Sequence, residues 1–270
     1  KALTFSENGR QSKLAADIKM SPDRYEIVSA ETDHFSGSVN LAATMDRGQE
    51  KRFTLSSSAK NLDIAKIASF IVPSSKGEIK GTLELRSLKL EGDRAAIPQS
   101  IRGSAEIAVS QERPSPLGLS TKIFNAMRGV PLVGKLFSPE SSDFERQNQR
   151  IEARLRLQDD LCHFEPIKLF RPSYNVDARG TLGFDKNLYL QGDVIILEES
   201  AGSLGLDIAP LKSLFGRLGR ILVPISIRGE LPEVEVVADI KGFMANYSGI
   251  KWGKDVLRSL GGAFSSEKAP

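Results

Sequence analysis

The feature that most constrains this chain is a strict alternation of apolar and polar residues, which recurs along most of its length. In residues 151–157 every second residue is apolar and the residues between are charged. A period of two places the apolar side chains on one face of a strand and the charged ones on the other. The pattern predicts ten to twelve strands, clearest in residues 12–20, 78–86, 101–109, 151–157, 174–184, 188–196, 223–231 and 234–240 and weaker in residues 25–30, 37–45 and 52–58.

Most links between these segments have hairpin length, so we expect a largely antiparallel sheet with one solvated face. Two longer links, residues 110–116 and 138–150, interrupt the pattern, which is alike on both sides. We therefore predict one domain over residues 1–270 with a continuous sheet. Its parts are a first β-rich part (1–109), a helical insert (110–148), a second β-rich part (149–245), and a C-terminal helix and tail (246–270).

A short motif repeats inside the strands, in which a glycine lies between two polar residues on the apolar phase. Glycine weakens a strand interior, so its recurrence suggests strong curvature or the close approach of another group. The interior of a closed barrel or sandwich, which needs small residues, explains the motif equally well. The six glycines are Gly37, Gly81, Gly103, Gly180, Gly192 and Gly229.

Helical periodicity is confined to four places. Apolar stripes predict helices over residues 61–72, after Pro116, near Pro210, and around Trp252 to Leu260. Basic amphipathic helices either rest on anionic membrane surfaces or cap the apolar side of their own sheet, and capping is the more common role.

Charge and composition exclude several classes. The 37 Lys and Arg residues are interspersed with 34 Asp and Glu residues, which leaves no basic footprint for nucleic acid. A single cysteine excludes a disulfide framework and a multi-cysteine metal cluster. The sequence has no apolar run of the ~18 residues that a membrane span needs. Because it begins at Lys1, we expect a fragment whose targeting segment has been removed.

The sequence offers little chemistry for catalysis. It contains two histidines, and His163 follows Cys162 directly, so the two side chains point to opposite faces of a strand. Phosphate-binding glycine loops, nucleophile elbows and zinc-protease motifs are absent. We therefore predict no enzyme activity, no catalytic residue, no metal site and no cofactor.

An ordered series of segments resembles the C-terminal region of the AsmA-like family, membrane-anchored periplasmic proteins grouped with bridge-like lipid-transfer proteins of Gram-negative bacteria. The series consists of residues 61–65, the strand 77–85, the insert 123–127, the "Phe…Ile-x-Ala-x-Leu-x-Leu" segment of 144–157, the "Ser-Pro-x-Val-x-Gly-x-Gly" segment of 170–182, and the "Val-Pro-Val-x-Val-x-Gly-Thr-Leu-x-x-Pro" element of 223–234. The likeness is best over residues 61–240. Arg179 and the shortened Glu230-Leu231-Pro232 depart from the family pattern.

The resemblance implies a mainly β fold, a long curved and mostly antiparallel sheet forming an open half-pipe groove, with a few amphipathic helices capping or flanking it. It implies that the groove holds or conducts phospholipid acyl chains between inner and outer membranes, in the periplasm, with the inner membrane reached through a missing N-terminal anchor and with possible envelope protein partners. We expect the groove to be lined by Leu83, Leu85, Ala105, Ile107, Val109, Leu155, Leu157, Val176, Ala178, Leu182, Leu190, Val194, Ile196, Ile225, Ile227 and Val236.

The alternative is a closed β-sandwich or barrel that serves as a scaffold or adhesion module without lipid cargo, in which the same residues form an ordinary core. Periodicity alone does not separate the two. An aspartate at Val194 distinguishes them: we expect the fold to survive it if the groove is open and to be lost if the core is closed. A polysaccharide-active enzyme is a third reading, disfavoured by one Trp and four Tyr.

Overall fold

The computed structural model describes residues 2–7, 10–32, 36–48, 51–71, 80–97, 99–111, 119–137, 148–203, 212–215 and 219–247. Thirteen strands form a single sheet in which each strand pairs antiparallel with the next one in the chain. The strands are β1 (Ala2–Glu7), β2 (Arg10–Met20), β3 (Arg24–Thr32), β4 (Ser38–Asp46), β5 (Arg52–Asp63), β6 (Gly81–Asp93), β7 (Arg102–Gln111), β8 (Gln149–Gln158), β9 (Leu161–Phe170), β10 (Asn175–Gly183), β11 (Asn187–Leu197), β12 (Arg220–Glu230) and β13 (Glu233–Ala238).

The helices lie in the links that leave odd-numbered strands. Because consecutive antiparallel strands turn at opposite ends, these links share one edge of the sheet, which we call the helix rim. The links after even-numbered strands are short and form the opposite edge, the turn rim. The helices are α1 (Ile64–Ile71), α2 (Leu119–Arg128), α3 (Glu198–Ser203), α4 (Lys212–Phe215) and α5 (Ile240–Asn246), with 3₁₀ turns at Arg94–Ala96 on the turn rim and Val133–Phe137 after α2.

The sheet is open and antiparallel, as predicted. β1 and β13 stand at its two ends and do not pair with one another, so the closed-barrel alternative is wrong for this sheet. β7 precedes the helical insert in the sequence and β8 follows it, and the two strands pair directly. This pairing joins the two β-rich parts into one sheet. Thirteen strands at ~4.8 Å spacing give a sheet on the order of 58 Å from β1 to β13.

Helix α2 shows how strongly the C-terminal part of the sheet curls. The Ser120 hydroxyl donates to Gln149 Oε1 at the start of β8 (2.8 Å), and Lys122 Nζ donates to the Val234 carbonyl on β13 (2.7 Å). Five strand spacings, about 24 Å along the sheet, separate β8 from β13. Two residues of one short helix reach both strands, so β8 to β13 must wrap around α2.

At the six motif glycines, the backbone of another segment approaches closely. A Cβ at Gly180 would lie 1.9 Å from the Tyr189 carbonyl oxygen, and one at Gly192 would lie 2.1 Å from the Asp177 carbonyl oxygen. At the other four, the added Cβ would also lie within 2.6 Å of a carbonyl oxygen of another segment, which in most cases is the neighbouring strand. The group that approaches these glycines is therefore backbone, and the motif marks close approach of neighbouring backbone segments.

The main hydrophobic core lies between β9–β13 and the helices. Helix α2, the 3₁₀ turn after it, and α4 and α5 contribute apolar side chains that are fully or almost fully buried against these strands. The members from the helical segments are Ile123, Met127, Val130, Val133, Phe137, Leu214, Phe215 and Phe243. Capping of the sheet, the more common role of amphipathic helices, is thus the role of α2 here.

The helix boundaries differ from the sequence prediction in places. The helix expected over residues 61–72 begins at Ile64, because β5 continues to Asp63, whose Oδ1 accepts from the Ala65 amide. Near Pro210 the structure describes only the short α4. The helix expected around Trp252 lies outside the described residues.

Candidate functional site

The sixteen residues predicted to line a groove share one face of the sheet. Strand register places Leu83 opposite Val109, and the same phase continues from strand to strand until Ile227 lies opposite Val236. The apolar phase is therefore continuous across β6 to β13, as the alternation requires.

Half of these residues are covered by the helices. They lie in the core or pack against it, and Val194 is 0% exposed. The expectation that they face an open groove is therefore revised, and so is the expectation that an aspartate at Val194 would reach water. The eight are Val176, Ala178, Leu190, Val194, Ile196, Ile225, Ile227 and Val236.

The other half lie outside that core. Leu83, Leu85, Ile107, Val109, Leu155, Leu157 and Leu182 are half-buried, and Ala105 is buried between neighbouring side chains. Strands β2 to β7 supply no member to the helix-covered core. Helix α1, which begins directly after β5, contacts β5 and β6.

We call the part of the inner face that the described helices α2, α4 and α5 leave uncovered the open apolar face. It runs over β3 to β8. Most of its large side chains retain partial exposure, whereas Leu62 is buried, as are the alanines between them, such as Ala59 and Ala153. Apolar patches larger than a few hundred Å² on a protein surface usually mark binding sites. The large residues of the open apolar face are Tyr25, Ile27, Val39, Leu41, Met45, Phe53, Leu55, Leu83, Leu85, Leu88, Leu90, Ile107, Val109, Leu155 and Leu157.

The opposite face of the same strands is polar and carries cross-strand ion pairs. Arg154 on β8 lies 3.0 Å from Glu106 on β7, and Arg86 and Arg150 both bind Glu152. Although burial raises the pKa of Glu152, hydrogen bonds from Arg150 and Arg86 and their charges hold it below its ordinary value. The two faces of β3 to β8 thus differ sharply, and the inner face carries most of the large apolar side chains.

The side chains of Cys162 and His163 do not form a nucleophile–base pair, because they lie on opposite faces of the sheet. Both lie on β9, where Cys162 shares the inner face with Leu157 and Leu182 and His163 lies on the outer face. Burial raises the pKa of the Cys162 thiol, which disfavours the thiolate. Within the described ranges, no group of three or more His, Cys, Asp or Glu side chains is placed to hold a metal ion.

A polar cluster on the helix rim was not anticipated from the sequence. Gln149 donates through Nε2 to Gln111 Oε1 and accepts from Ser120, and all three side chains are buried. A cavity of about 490 Å³ adjoins them and is also lined by Arg150 and Arg171. One sequence feature could have indicated this cluster. Gln111 and Gln149 occupy positions of β7 and β8 at which the alternation predicts an apolar residue.

None of the helices in the described parts of the chain has the length and hydrophobicity to cross a bilayer. Comparison with known proteins adds no assignment, since no family model, no curated protein and no solved structure matches the chain.

Proposed function

We propose that the chain is a lipid-binding and lipid-transfer module whose open apolar face holds phospholipid acyl chains. The observation that carries the proposal is an apolar face of six strands, β3 to β8. Most of its large side chains stay partly exposed, since the core helices α2, α4 and α5 pack on β9 to β13. A monomeric globular protein normally buries such a surface.

The dimensions of the face suit acyl chains. Six strands at ~4.8 Å and about ten residues per strand at ~3.4 Å give an area on the order of 25 by 34 Å. Half of a ~30 Å hydrocarbon core is about 15 Å, the reach of one acyl tail. Two or more tails therefore fit, and each buried CH₂ contributes ~0.8 kcal/mol to retention.

Movement along the face requires no catalytic step. Leucine, isoleucine and valine recur at equivalent positions on successive strands, so a tail that shifts by one strand exchanges one apolar contact for a similar one. The helices that pack on β9 to β13 occupy the face beyond β9. In this proposal lipid therefore moves over β3 to β8, and the helix-covered core ends the path.

The cellular setting follows from the resemblance to AsmA-like proteins and belongs to the same proposal. The module would hold or conduct phospholipid between inner and outer membranes, from the periplasm, with an anchor in the inner membrane, and would contribute to outer-membrane biogenesis. Envelope proteins would be its partners, and it would need no cofactor, metal or nucleic acid.

Native mass spectrometry of the purified chain, after incubation with vesicles of phosphatidylethanolamine and phosphatidylglycerol, tests the proposal. We expect adducts with the mass of one or more phospholipids. A chain that carries no phospholipid before or after incubation would favour a scaffold without lipid cargo.

Two substitutions on β7 provide a matched comparison. Ile107→Asp places a carboxylate on the open apolar face, and we expect lipid occupancy to fall several-fold. Ser104→Asp places the same group on the outer face, opposite Lys89 and Arg156 in the register, and should leave occupancy unchanged. Equal loss in both variants would argue against binding at the open apolar face.

A further inference from the structure

The inner face changes from apolar to polar at the helix rim, over four neighbouring strands. On β6, β7 and β8 the last residues of the apolar phase are Gly81, Gln111 and Gln149, which are paired directly with one another. One step inward, about 6.8 Å along each strand, the same phase carries Leu83, Val109 and Ile151.

Beside Gln149, at the end of the neighbouring strand β9, the corresponding position holds a cation, Arg171. Arg171 follows Leu169 on the same phase and is only 7% exposed. Its amide donates to the Tyr174 carbonyl (3.0 Å), which closes the link to β10, and its guanidinium lies 5.8 Å from the centre of the Tyr174 ring. The side chain is thus fixed beside a residue of the hydrophobic core.

A cavity of about 490 Å³ at these strand ends has the character of an anion site. Its lining comes from both faces of the sheet, with Arg171 on the inner phase and Arg150 on the outer phase. Its volume lies within the range of small-molecule pockets, 300–1,000 Å³ as a rough guide. Of the described residues that line it, two are arginines and none is acidic. Arg150 also binds Glu152, at 2.6 Å, and Arg171 is the more buried of the two cations.

Close approach of the strands shapes the cavity. A Cβ at Gly81 would lie 2.1 Å from the Ser110 carbonyl oxygen, so no larger side chain fits at this position of the lining. The buried amides of Gln111 and Gln149 add polar groups beside the guanidinium, and Arg side chains recognise phosphate through parallel N–H donors.

We infer that this cavity binds the phosphate of a lipid headgroup while the acyl chains of the same lipid extend inward over the open apolar face. The inference rests on the proposed function and adds to it a position and a chemical class for the headgroup. It predicts that lipid enters from the helix rim, tail first toward Leu83 and Val109. It also predicts that an anionic phosphate is preferred to a neutral headgroup.

Two lipids with identical oleoyl chains test the inference, because dioleoyl phosphatidic acid and dioleoylglycerol differ only in the phosphate. We expect the full chain to prefer the phosphatidic acid by roughly tenfold in native mass spectrometry, as expected for a charge-assisted contact. Arg171→Gln should bring that preference close to one while dioleoylglycerol binding stays unchanged. Arg154→Gln, which removes a cation from the outer face, should keep the full preference.

If Arg171→Gln does not fold, Arg150→Gln replaces it as the test variant. Arg150→Gln should fold, because Arg150 is about half exposed and Glu152 keeps its contact with Arg86. Its preference should also fall, though by less. Equal binding of the two lipids by the wild type, or a preference that both variants retain, would overturn the headgroup site and leave the acyl-chain proposal standing. Absence of both lipids would overturn both.

Inorganic phosphate separates a lipid headgroup from a free anion. If the cavity holds a headgroup, millimolar phosphate should displace phosphatidic acid and leave dioleoylglycerol in place. Phosphate that binds to a chain without preference for phosphatidic acid would show a site for the free ion and would contradict the headgroup assignment.

Discussion

A matched pair of leucine substitutions separates the open apolar face from the helix-covered core. Leu85 on β6 is half-buried, whereas Leu190 on β11 is 2% exposed and lies in the core opposite Gly180 and Ile227. Both lie on the inner face. The two leucines differ in that the core helices pack over the region of Leu190 and not over that of Leu85. The same Leu→Asp change at both positions therefore tests whether the open apolar face contacts water.

The expected magnitudes differ. At Leu190 the change removes a fully buried side chain, which is worth about 1.5–3 kcal/mol, and buries a carboxyl group without an arranged partner, which costs a further ~1–3 kcal/mol or more. Since a domain has only about 5–15 kcal/mol of stability, Leu190→Asp should lose most of its folded population. At Leu85 the carboxylate reaches water, so we expect a loss of about 1 kcal/mol or less from partial burial.

Thermal unfolding followed by circular dichroism, combined with native mass spectrometry, measures both effects. Leu85→Asp should melt within a few degrees of the wild type and carry much less lipid, while Leu190→Asp should be largely unfolded. If Leu85→Asp unfolds as completely as Leu190→Asp, then β6 is covered in solution and the open apolar face does not exist.

Three further predictions concern the sheet itself. Gly192→Val should destabilise the chain by several kcal/mol in urea unfolding, because its Cβ would lie 2.1 Å from the Asp177 carbonyl oxygen; an unchanged midpoint would contradict the crowding. Asp193 lies directly opposite Asp177, and burial and that neighbour's charge raise its pKa. Asp193→Asn should therefore raise the free energy of unfolding by up to about 1 kcal/mol at pH 7, and this gain should disappear as the pH falls through the raised pKa. A gain that persists at pH 3 would refute this cause. Glu152 should have the opposite effect on stability, because its pKa is lowered. Glu152→Gln should lower the free energy of unfolding by up to about 1 kcal/mol above pH 5, and the difference from wild type should vanish as acid protonates the carboxyl group. A constant difference across pH would exclude the ion pairs as its source.

Much of the sheet could be predicted because alternation is a local property of the chain. Eleven of the thirteen strands coincide with segments that alternate clearly or weakly. The exceptions are instructive. β9 was missed since Pro166 interrupts it, and the register of β9 shifts there against both neighbours. β1 was missed because Ala2–Glu7 offers only a short alternation.

The cover of the inner face could not be predicted, because periodicity shows that a helix has an apolar side but not which surface receives it. Residues 234–240 were read as one strand, yet β13 ends at Ala238 and Asp239 caps α5 by accepting from the Gly242 amide at 2.8 Å. Val194 and Leu85 occupy the same phase of similar strands. Only the position of helix α2 and its neighbours makes one a core residue and leaves the other on the open face.

The most direct test of the central claim maps where a bound acyl chain lies. A phospholipid with a photoreactive diazirine near the end of one acyl chain is incubated with the full chain, irradiated, and the adducts are located by peptide mass spectrometry. The single cysteine, Cys162, half-buried on the inner face next to Leu157, gives an independent readout, because bound lipid should slow its alkylation. The account predicts adducts on inner-face residues of β3 to β8, with few on β10 to β13. Adducts spread over the outer face, or concentrated on the helices over the core, would contradict it.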